Sequence, residues 1–342
     1  NEDQRVSFIN NKNFSKLENF YGIKFLTNNY IKINKIEIHN VDEKKPLSLK
    51  DKIGHGVIIR NDIFKNNLEI SEDCLTVYKS KVISTNHDEF YRYLILENGI
   101  KINTSLVLSA DGNSSTLRHL SNIKFINHDL DHTIISGYLN VKNFDISTAK
   151  QIFLKDSFIG LLPFSKNVVN FVWSLDNQVL NKRNNFKYYD EIIKRLNTFF
   201  SKYNINFRSP ISKNKKLQMY PINIKYVQNP FEKRLILIGD AAHSIHPLAG
   251  QGFNLSIEDC FNVMKCIRKA KSVGKDCGEI SVLSEYNSLG MSRRNFITLV
   301  TTSIFYIFKK KTYFVNQLIN KSLKKIEKSP LKNIFKSLAR GY

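Results

Sequence analysis

The sequence predicts an α/β fold: a strand–loop–helix unit around residue 240, a mixed β-sheet region before it, and a helical, basic segment after it. Three observations predict this. Arg234-Leu-Ile-Leu-Ile238 is an apolar run of strand length. It passes through a Gly-rich loop into a stretch with Phe253, Ile257, Phe261 and Met264 at helical spacing. Upstream, short apolar or alternating runs are separated by turn signals, the pattern of strands.

In chain order, a helix is expected at 14–20. Residues 31–41 largely alternate, beginning Ile31-Lys-Ile-Asn-Lys-Ile36, as a half-buried antiparallel strand does. Residues 60–68 are helix-like, and Asn61 stands at a helix start, where it can serve as an N-cap. Strands are expected at 74–86 and 90–96, with Asn98-Gly99 as a hairpin signal leading into 100–108. Further strand-like runs lie at 133–141, 151–162 and 167–174, followed by a helix at 190–202. Residues 280–342 are helical and basic.

Composition bounds the function. Apolar residues at 42% and aromatics at 12% fit a globular protein, and 342 residues suffice for one or two domains. Lys and Arg total 52 against 30 Asp and Glu, a net charge of +22. The lysines are spread, and no zinc-finger, helix-turn-helix or aromatic RNA-binding signature accompanies them, so no nucleic acid partner is expected. An anionic membrane surface is the partner this charge favours; AT-rich codon usage, visible in the abundance of Lys, Asn and Ile, is the bland alternative. Cys74, Cys260, Cys266 and Cys277 form no C-x-x-C pair, which fits free thiols in a reducing compartment and no metal site. Cys260 and Cys266 are expected as small apolar residues of a helix. The longest apolar run, 296–308, contains Thr298, Thr301, Thr302 and Ser303 and is shorter than the ~20 residues a spanning helix needs.

The loop carries the most information. Gly239-Asp-Ala-Ala-His-Ser-Ile-His-Pro-Leu-Ala-Gly-Gln-Gly-Phe-Asn-Leu-Ser-Ile-Glu-Asp259 resembles the second flavin-binding motif of the group A FAD-dependent aromatic monooxygenases, the para-hydroxybenzoate hydroxylase fold. Its Ile245-His-Pro-Leu-Ala-Gly-Gln-Gly-Phe-Asn254 form is most similar to the ubiquinone-biosynthesis hydroxylase branch. Ala110-Asp-Gly-Asn-Ser-Ser-Thr-Leu-Arg118, after the apolar Leu106-Val-Leu108, resembles the family's A-D-G-x-x-S-x-x-R element. Weaker echoes are Gly160-Leu-Leu-Pro-Phe164, Val172-Trp173 and Tyr220-Pro221-Ile222. The resemblance implies an FAD/NAD(P)-binding Rossmann-like domain built from 1–20, 56–120 and 226–279. It implies an inserted mixed β-sheet substrate domain from 21–55 and 121–225, and a C-terminal helical segment, 280–342. The family's opening G-x-G-x-x-G is absent. The chain is therefore expected to be a fragment, its Rossmann-like domain incomplete at the N-terminus by about one βαβ unit, roughly 30–40 residues.

The resemblance also implies site residues. Asp240 accepts hydrogen bonds from ribityl hydroxyls, a helix-capping Asp being the structural alternative. Pro247, Gly250, Gln251 and Gly252 pass beside the isoalloxazine ring, where missing side chains let the backbone approach. Amides at the following helix N-terminus favour negative charge on the reduced flavin, and Asn254 adds a hydrogen bond there. Gly239 and His243 frame the loop, and His246 lies near the flavin. Either histidine is open as a base, and neither has a partner at metal-ligand spacing. Asp111 and Gly112 link the flavin and pyridine-nucleotide regions with Arg118 in support; a tight turn fixed by the Asp is the alternative. Arg5 pairs with the FAD phosphates.

The implied activity is hydroxylation of the aromatic ring of a polyprenylated phenol in ubiquinone biosynthesis, with FAD as cofactor and NAD(P)H and O2 as co-substrates, through a flavin C4a-hydroperoxide. No side chain is expected as a nucleophile or base of necessity, because the flavin carries the chemistry. The implied location is cytoplasmic, peripheral on the inner membrane and within a biosynthetic complex. Residues 306–336 interleave apolar residues with lysines, which suits either an interfacial helix or a solvated helix packed on the flavin domain. Two rival readings stay open: a non-catalytic scaffold of such a complex, and a related flavoprotein halogenase or prenyl reductase.

Overall fold

The computed structural model describes residues 5–40, 45–68, 74–154, 157–181, 188–208, 217–247, 250–309 and 331–341. The chain opens with β1 (Val6–Asn10), α1 (Asn11–Tyr21), β2 (Tyr30–Ile33), β3 (Lys35–Asn40), β4 (Leu47–Lys50), β5 (Gly56–Arg60) and α2 (Asn61–Asn66). Next come β6 (Val82–His87), β7 (Arg92–Leu96), β8 (Lys101–Thr104), β9 (Val107–Ser109) and α3 (Thr116–Leu120). The long strands are β10 (Ile126–Lys142), β11 (Thr148–Phe153), β12 (Ser157–Ser165) and β13 (Val168–Asp176), followed by α4 (Asn177–Asn181) and α5 (Tyr188–Phe200). The rest comprises β14 (Asn206–Arg208), β15 (Gln218–Tyr226), β16 (Phe231–Glu232), β17 (Leu235–Leu237), β18 (His243–Ser244), α6 (Gln251–Ser272), α7 (Ile280–Lys309) and α8 (Leu331–Arg340).

One large sheet dominates. Its order is β18-β15-β10-β13-β12-β11-β3-β4, with β14 also paired to β10, and only β11 and β3 run parallel. The strands bury both faces, and the two-residue side-chain period sorts neighbours to opposite sides. Ile135, Ile152 and Ile159 join Phe171, Trp173 and the α5 residues Ile192, Leu196 and Phe200 on one face. Their neighbours Ile134, Phe153 and Phe158 join Ile222, Ile224 and Phe305 of α7 on the other. The sheet is thus clamped between α5 and the end of α7.

A second unit positions the loop of interest. β9 and β17 pair in parallel, Leu235 opposite Val107, and β16 flanks β17. Ile236 packs with Val263, Cys266 and Ala270 of α6 and with Val282, Leu283 and Tyr286 of α7. Among the described residues β9 is paired on one side only, and its Leu108 is 45% exposed. A small β2-β5-β1 sheet, with Phe14, Leu17 and Phe25 packed against Ile257 of α6, and an antiparallel β6-β7-β8 sheet complete the set among the described residues.

Several expectations are corrected. The run 31–41 is two strands in different sheets, β2 and β3, because the chain breaks at Asn34, whose N–H donates to Ser147 O at 3.0 Å. The run 151–162 is a hairpin, β11 and β12, and 74–86 is strand only in β6, Leu75 and Val77 being exposed. The run 100–108 is interrupted between β8 and β9. Asn61 is the first residue of α2, with Arg60 at the N-cap position, and its Oδ1 accepts the Ser7 hydroxyl at 2.7 Å. Cys266 is a buried apolar residue as expected, whereas Cys260 is exposed. Among the described residues no helix is long and apolar enough to cross a membrane. The basic stretch at 310–330 lies outside the described residues. The helix beyond it, α8, ends against the body of the protein. Arg340 bonds Asp51, and Lys12 Nζ donates to Gly341 O at 3.1 Å.

Candidate functional site

The apolar β17 ends at Leu237, and the chain turns sharply at Gly239, whose φ of +58° is a left-handed conformation. A Cβ there would lie 2.9 Å from Ser256 Oγ and 3.3 Å from Ser256 Cβ, so the space is tight as well. The turn is pinned from beneath by Asp259 of α6. Its Oδ2 accepts the Gly239 N–H at 3.0 Å and His243 Nε2 at 2.6 Å, and its Oδ1 accepts Arg294 Nη1 of α7 at 3.2 Å. Arg294 Nη2 in turn donates to Asn287 Oδ1 at 2.5 Å, and Tyr286 Oη donates to Leu237 O at 2.9 Å. Burial opposes the Asp259 charge, but the His243 hydrogen bond, the charges of His243 and Arg294 and the Gly239 amide outweigh it and hold the carboxyl below its usual range. His243 is therefore a frame residue fixed by a carboxylate, with Nε2 as its donor nitrogen.

Asp240 is placed differently. Its side chain faces solvent and has no hydrogen-bond partner among the described residues. The surrounding protein still crowds it enough to raise its pKa, against the pull of His243. The chain then runs through β18 to Pro247, whose carbonyl accepts the Gly250 N–H at 3.4 Å; Leu248 and Ala249 lie outside the described residues. Gly250 is the N-cap of α6, with φ +62°. Gly250 supplies no side-chain cap and no acidic residue stands in the first turn, so the positive end of the helix dipole faces this loop uncompensated by a carboxylate of its own first turn. Among the described residues a Cβ at Gly252 would meet nothing nearer than Ile245 Cγ1 at 3.8 Å, and Gln251 is buried.

Asn254 corrects the expectation that it bonds the cofactor. Nδ2 donates to Phe8 O at 2.8 Å and Gly250 O at 3.1 Å, and Oδ1 accepts Asn10 N at 2.8 Å and Asn13 Nδ2 at 3.2 Å. An amide offers two donors and one acceptor oxygen with two lone pairs, so its capacity is used within the protein. Asn254 bolts the start of α6 to β1 and α1.

The second motif is also largely internal. Asp111 accepts Ser109 Oγ at 2.5 Å and the Thr116 and Leu117 N–H groups at 2.7 and 3.2 Å, so its carboxylate caps α3. This is the turn-fixing alternative. Gly112 has φ +81° and open space where a Cβ would stand. Arg118 is wholly buried and donates Nη1 to Ala241 O at 2.7 Å and Nη2 to Asn113 O at 2.7 Å, tying the two motif loops together. Arg5 is exposed at the entry to β1, and its carbonyl accepts Asn61 N at 2.9 Å. His246 is 1% exposed, packed against Phe158 and Phe305 rather than lying open in the loop. Burial, reinforced by His132, pushes its pKa down to about 3, so the ring is neutral.

The residues present fit the ribityl and ring end of a flavin. They offer a carboxylate with no hydrogen-bond partner among the described residues, a glycine N-cap and the positive end of a long helix. The sequence contains no glycine cradle for a pyrophosphate. Asp259 lies on the buried stripe Leu255, Asp259, Val263, Cys266 of α6, and an acid on an apolar stripe is the signal that could have marked it. Asn10, Asn13 and Arg294 carried no comparable signal.

A family model described as an FAD-binding domain matches residues 86–288. The chain belongs to this family. FAD is accordingly its cofactor. Among curated relatives, the chain is 29% identical over 273 residues to the mitochondrial ubiquinone biosynthesis monooxygenase COQ6 of Caenorhabditis elegans, covering 68% of this chain and 60% of that one. It is 26% identical over 291 residues to the human COQ6, covering 73% and 62%. The chain thus spans about three fifths of the length of these relatives. Among solved structures, PqsL of Pseudomonas aeruginosa, a probable FAD-dependent monooxygenase, superposes with a TM-score of 0.73 at 14% identity, covering 90% of this chain and 89% of that one. Klebsiella pneumoniae HpxO, solved with FAD and uric acid, superposes with a TM-score of 0.72 at 14% identity, covering 98% and 86%. Both share the fold.

Proposed function

We propose that this protein is an FAD-dependent monooxygenase that hydroxylates the aromatic ring of a polyprenylated phenol in ubiquinone biosynthesis, with NAD(P)H and O2 as co-substrates. The observation that carries the reading is the 239–259 turn, in which a solvent-facing carboxylate and a glycine-capped helix N-terminus are held by buried groups. The similarity to the ubiquinone biosynthesis monooxygenases points to the pathway. When bound, FAD supplies electron transfer from NAD(P)H and activation of O2.

The chain's own residues bind and orient. Asp240 is the acceptor for ribityl hydroxyls, and Pro247, Gly250, Gln251 and Gly252 form the backbone beside the ring. The α6 amides favour negative charge at the ring's pyrimidine edge. Gly239, His243 and Asp259 keep the turn in shape, Asn254 holds the helix start, and Arg118 with Asp111 and Gly112 holds the neighbouring loop. Arg5 is the candidate for the FAD phosphates. In this reading 1–20, 56–120 and 226–279 form the flavin domain, 21–55 and 121–225 the substrate domain, and 280–342 a C-terminal segment. The protein works at the cytoplasmic face of the inner membrane, where its positive charge meets anionic lipid and its prenylated substrate resides, within a biosynthetic complex.

The test is reduction and reoxidation of the FAD-loaded protein. Anaerobic NADH or NADPH should bleach the oxidised-flavin band and air should restore it, and a prenylated phenol should gain one oxygen atom by mass spectrometry. A flavin that no pyridine nucleotide bleaches, or a product that is halogenated or saturated, would overturn the reading.

A further inference from the structure

His246 sits in an aromatic part of the core with both ring nitrogens buried. It is 1% exposed, yet neither ring nitrogen has a hydrogen-bond partner among the described residues. Burying an unpaired donor and an unpaired acceptor costs free energy that a Phe or Leu at the same position would avoid. Its surroundings are aromatic. Phe305 of α7 lies tilted at 37° with its centroid 5.0 Å from the imidazole, and Phe158 of β12 meets it nearly edge-on at 5.9 Å. Phe305 also packs edge-on against His132 of β10 at 4.9 Å. His132 differs: its Nδ1 lies 3.2 Å from Ser174 Oγ, and its Nε2 faces Asp176 Oδ2 at 3.5 Å. Of this histidine pair, His246 is the one with neither nitrogen hydrogen-bonded among the described residues. It stands next to Pro247, on the segment that leads into the Gly250 cap of α6.

A neutral imidazole can donate from one nitrogen and accept at the other. A phenolic hydroxyl can do the same in return, and its ring suits a slot walled by Phe158 at an ordinary aromatic packing distance. We propose that His246 is the residue that recognises the hydroxyl of an aromatic alcohol substrate, with Phe158 as a wall of its ring slot and Phe305 as the side chain that gives way to the ring. This rests on the hydroxylase reading above and adds a specificity residue to it. Phe305, wholly buried against His246, fills the slot in the free protein and has to rotate for a ring to enter.

The experiment uses a matched pair of probes, 2-allylphenol and 2-allylanisole, titrated by calorimetry into the FAD-loaded protein. His246→Phe keeps the aromatic packing and removes both nitrogens. The wild type should prefer the phenol by about ten-fold, the worth of one buried hydrogen bond, and His246→Phe should bring the ratio close to one. In parallel, histidine-selective 15N spectra of the wild type should show the His246 nitrogens shifting with the phenol and not with the anisole. That second readout stands even if the variant fails to fold. An unchanged phenol-to-anisole ratio in His246→Phe, phenol binding that leaves the His246 signals unmoved, or no binding of either probe would overturn the inference. Water held on both nitrogens would produce the second of these results. Oxygen transfer to the ring is scored separately. A His246-dependent preference without any hydroxylated product would defeat the hydroxylase reading alone.

Discussion

Asn254 shows how a residue that looks cofactor-facing in the motif is spent inside the protein. Its amide meets Phe8, Gly250, Asn10 and Asn13, and the Asn10 and Asn13 partners lie 244 and 241 residues away in the chain. No sequence pattern connects positions so far apart, which is why this role was illegible while the loop's glycines were readable. Asn254→Ala should leave several buried backbone and side-chain groups unpaired and cost about 2–4 kcal/mol, read as a lower urea midpoint with an unchanged slope. His246 makes a pH prediction. Its folded pKa of about 3 is depressed from the ordinary 6.5, so its stabilising neutrality is fully present above 6.5 and is lost progressively as pH falls from 6.5 towards 3. At about 1.4 kcal/mol per unit, the wild type should lose roughly 2 kcal/mol more than His246→Phe between pH 7 and pH 5. Thermal melts of both proteins at the two pH values check this, and parallel acid curves would contradict it.

At the scale of elements, the junction of β17 and α6 was the most legible part of the chain. Strand, glycine turn and helix are all strong local signals, and they appear where the residues put them. Errors arose where tertiary pairing overrode local pattern. The alternating run 31–41 is shared between two sheets because Asn34 bonds to the Ser147 carbonyl, and 151–162 folds back on itself as a hairpin. The Gly250 cap is a specific commitment of this junction. Its φ of +62° disfavours any side chain, and a Cβ would stand 3.2 Å from Phe8 Cβ. Gly250→Val should cost about 1–2 kcal/mol from the left-handed backbone alone and should weaken FAD binding by more than ten-fold. Thermal unfolding and flavin fluorescence titration measure the two effects separately.

For the whole molecule, the net charge of +22 makes a prediction independent of the flavin. Binding to phosphatidylglycerol-containing vesicles should be measurable by co-sedimentation at low salt and should fall steeply as ionic strength rises beyond ~0.15 M. Salt-insensitive sedimentation, or none, would remove electrostatic attraction from the account. The larger organisation joins a sheet clamped by α5 and α7 to a turn clamped by α6 and α7, so α7 serves both units. It holds Asp259 through Arg294 and packs Phe305 against His246. The central claim, that the turn between β17 and α6 holds the flavin, is tested most directly by FAD fluorescence quenching on the wild type, Asp240→Ala and the control Asp62→Ala. The wild type and control should bind FAD alike, and Asp240→Ala should bind at least ten-fold more weakly while melting at the same temperature. Equal affinity in all three proteins, or no FAD binding by the wild type, would contradict the account.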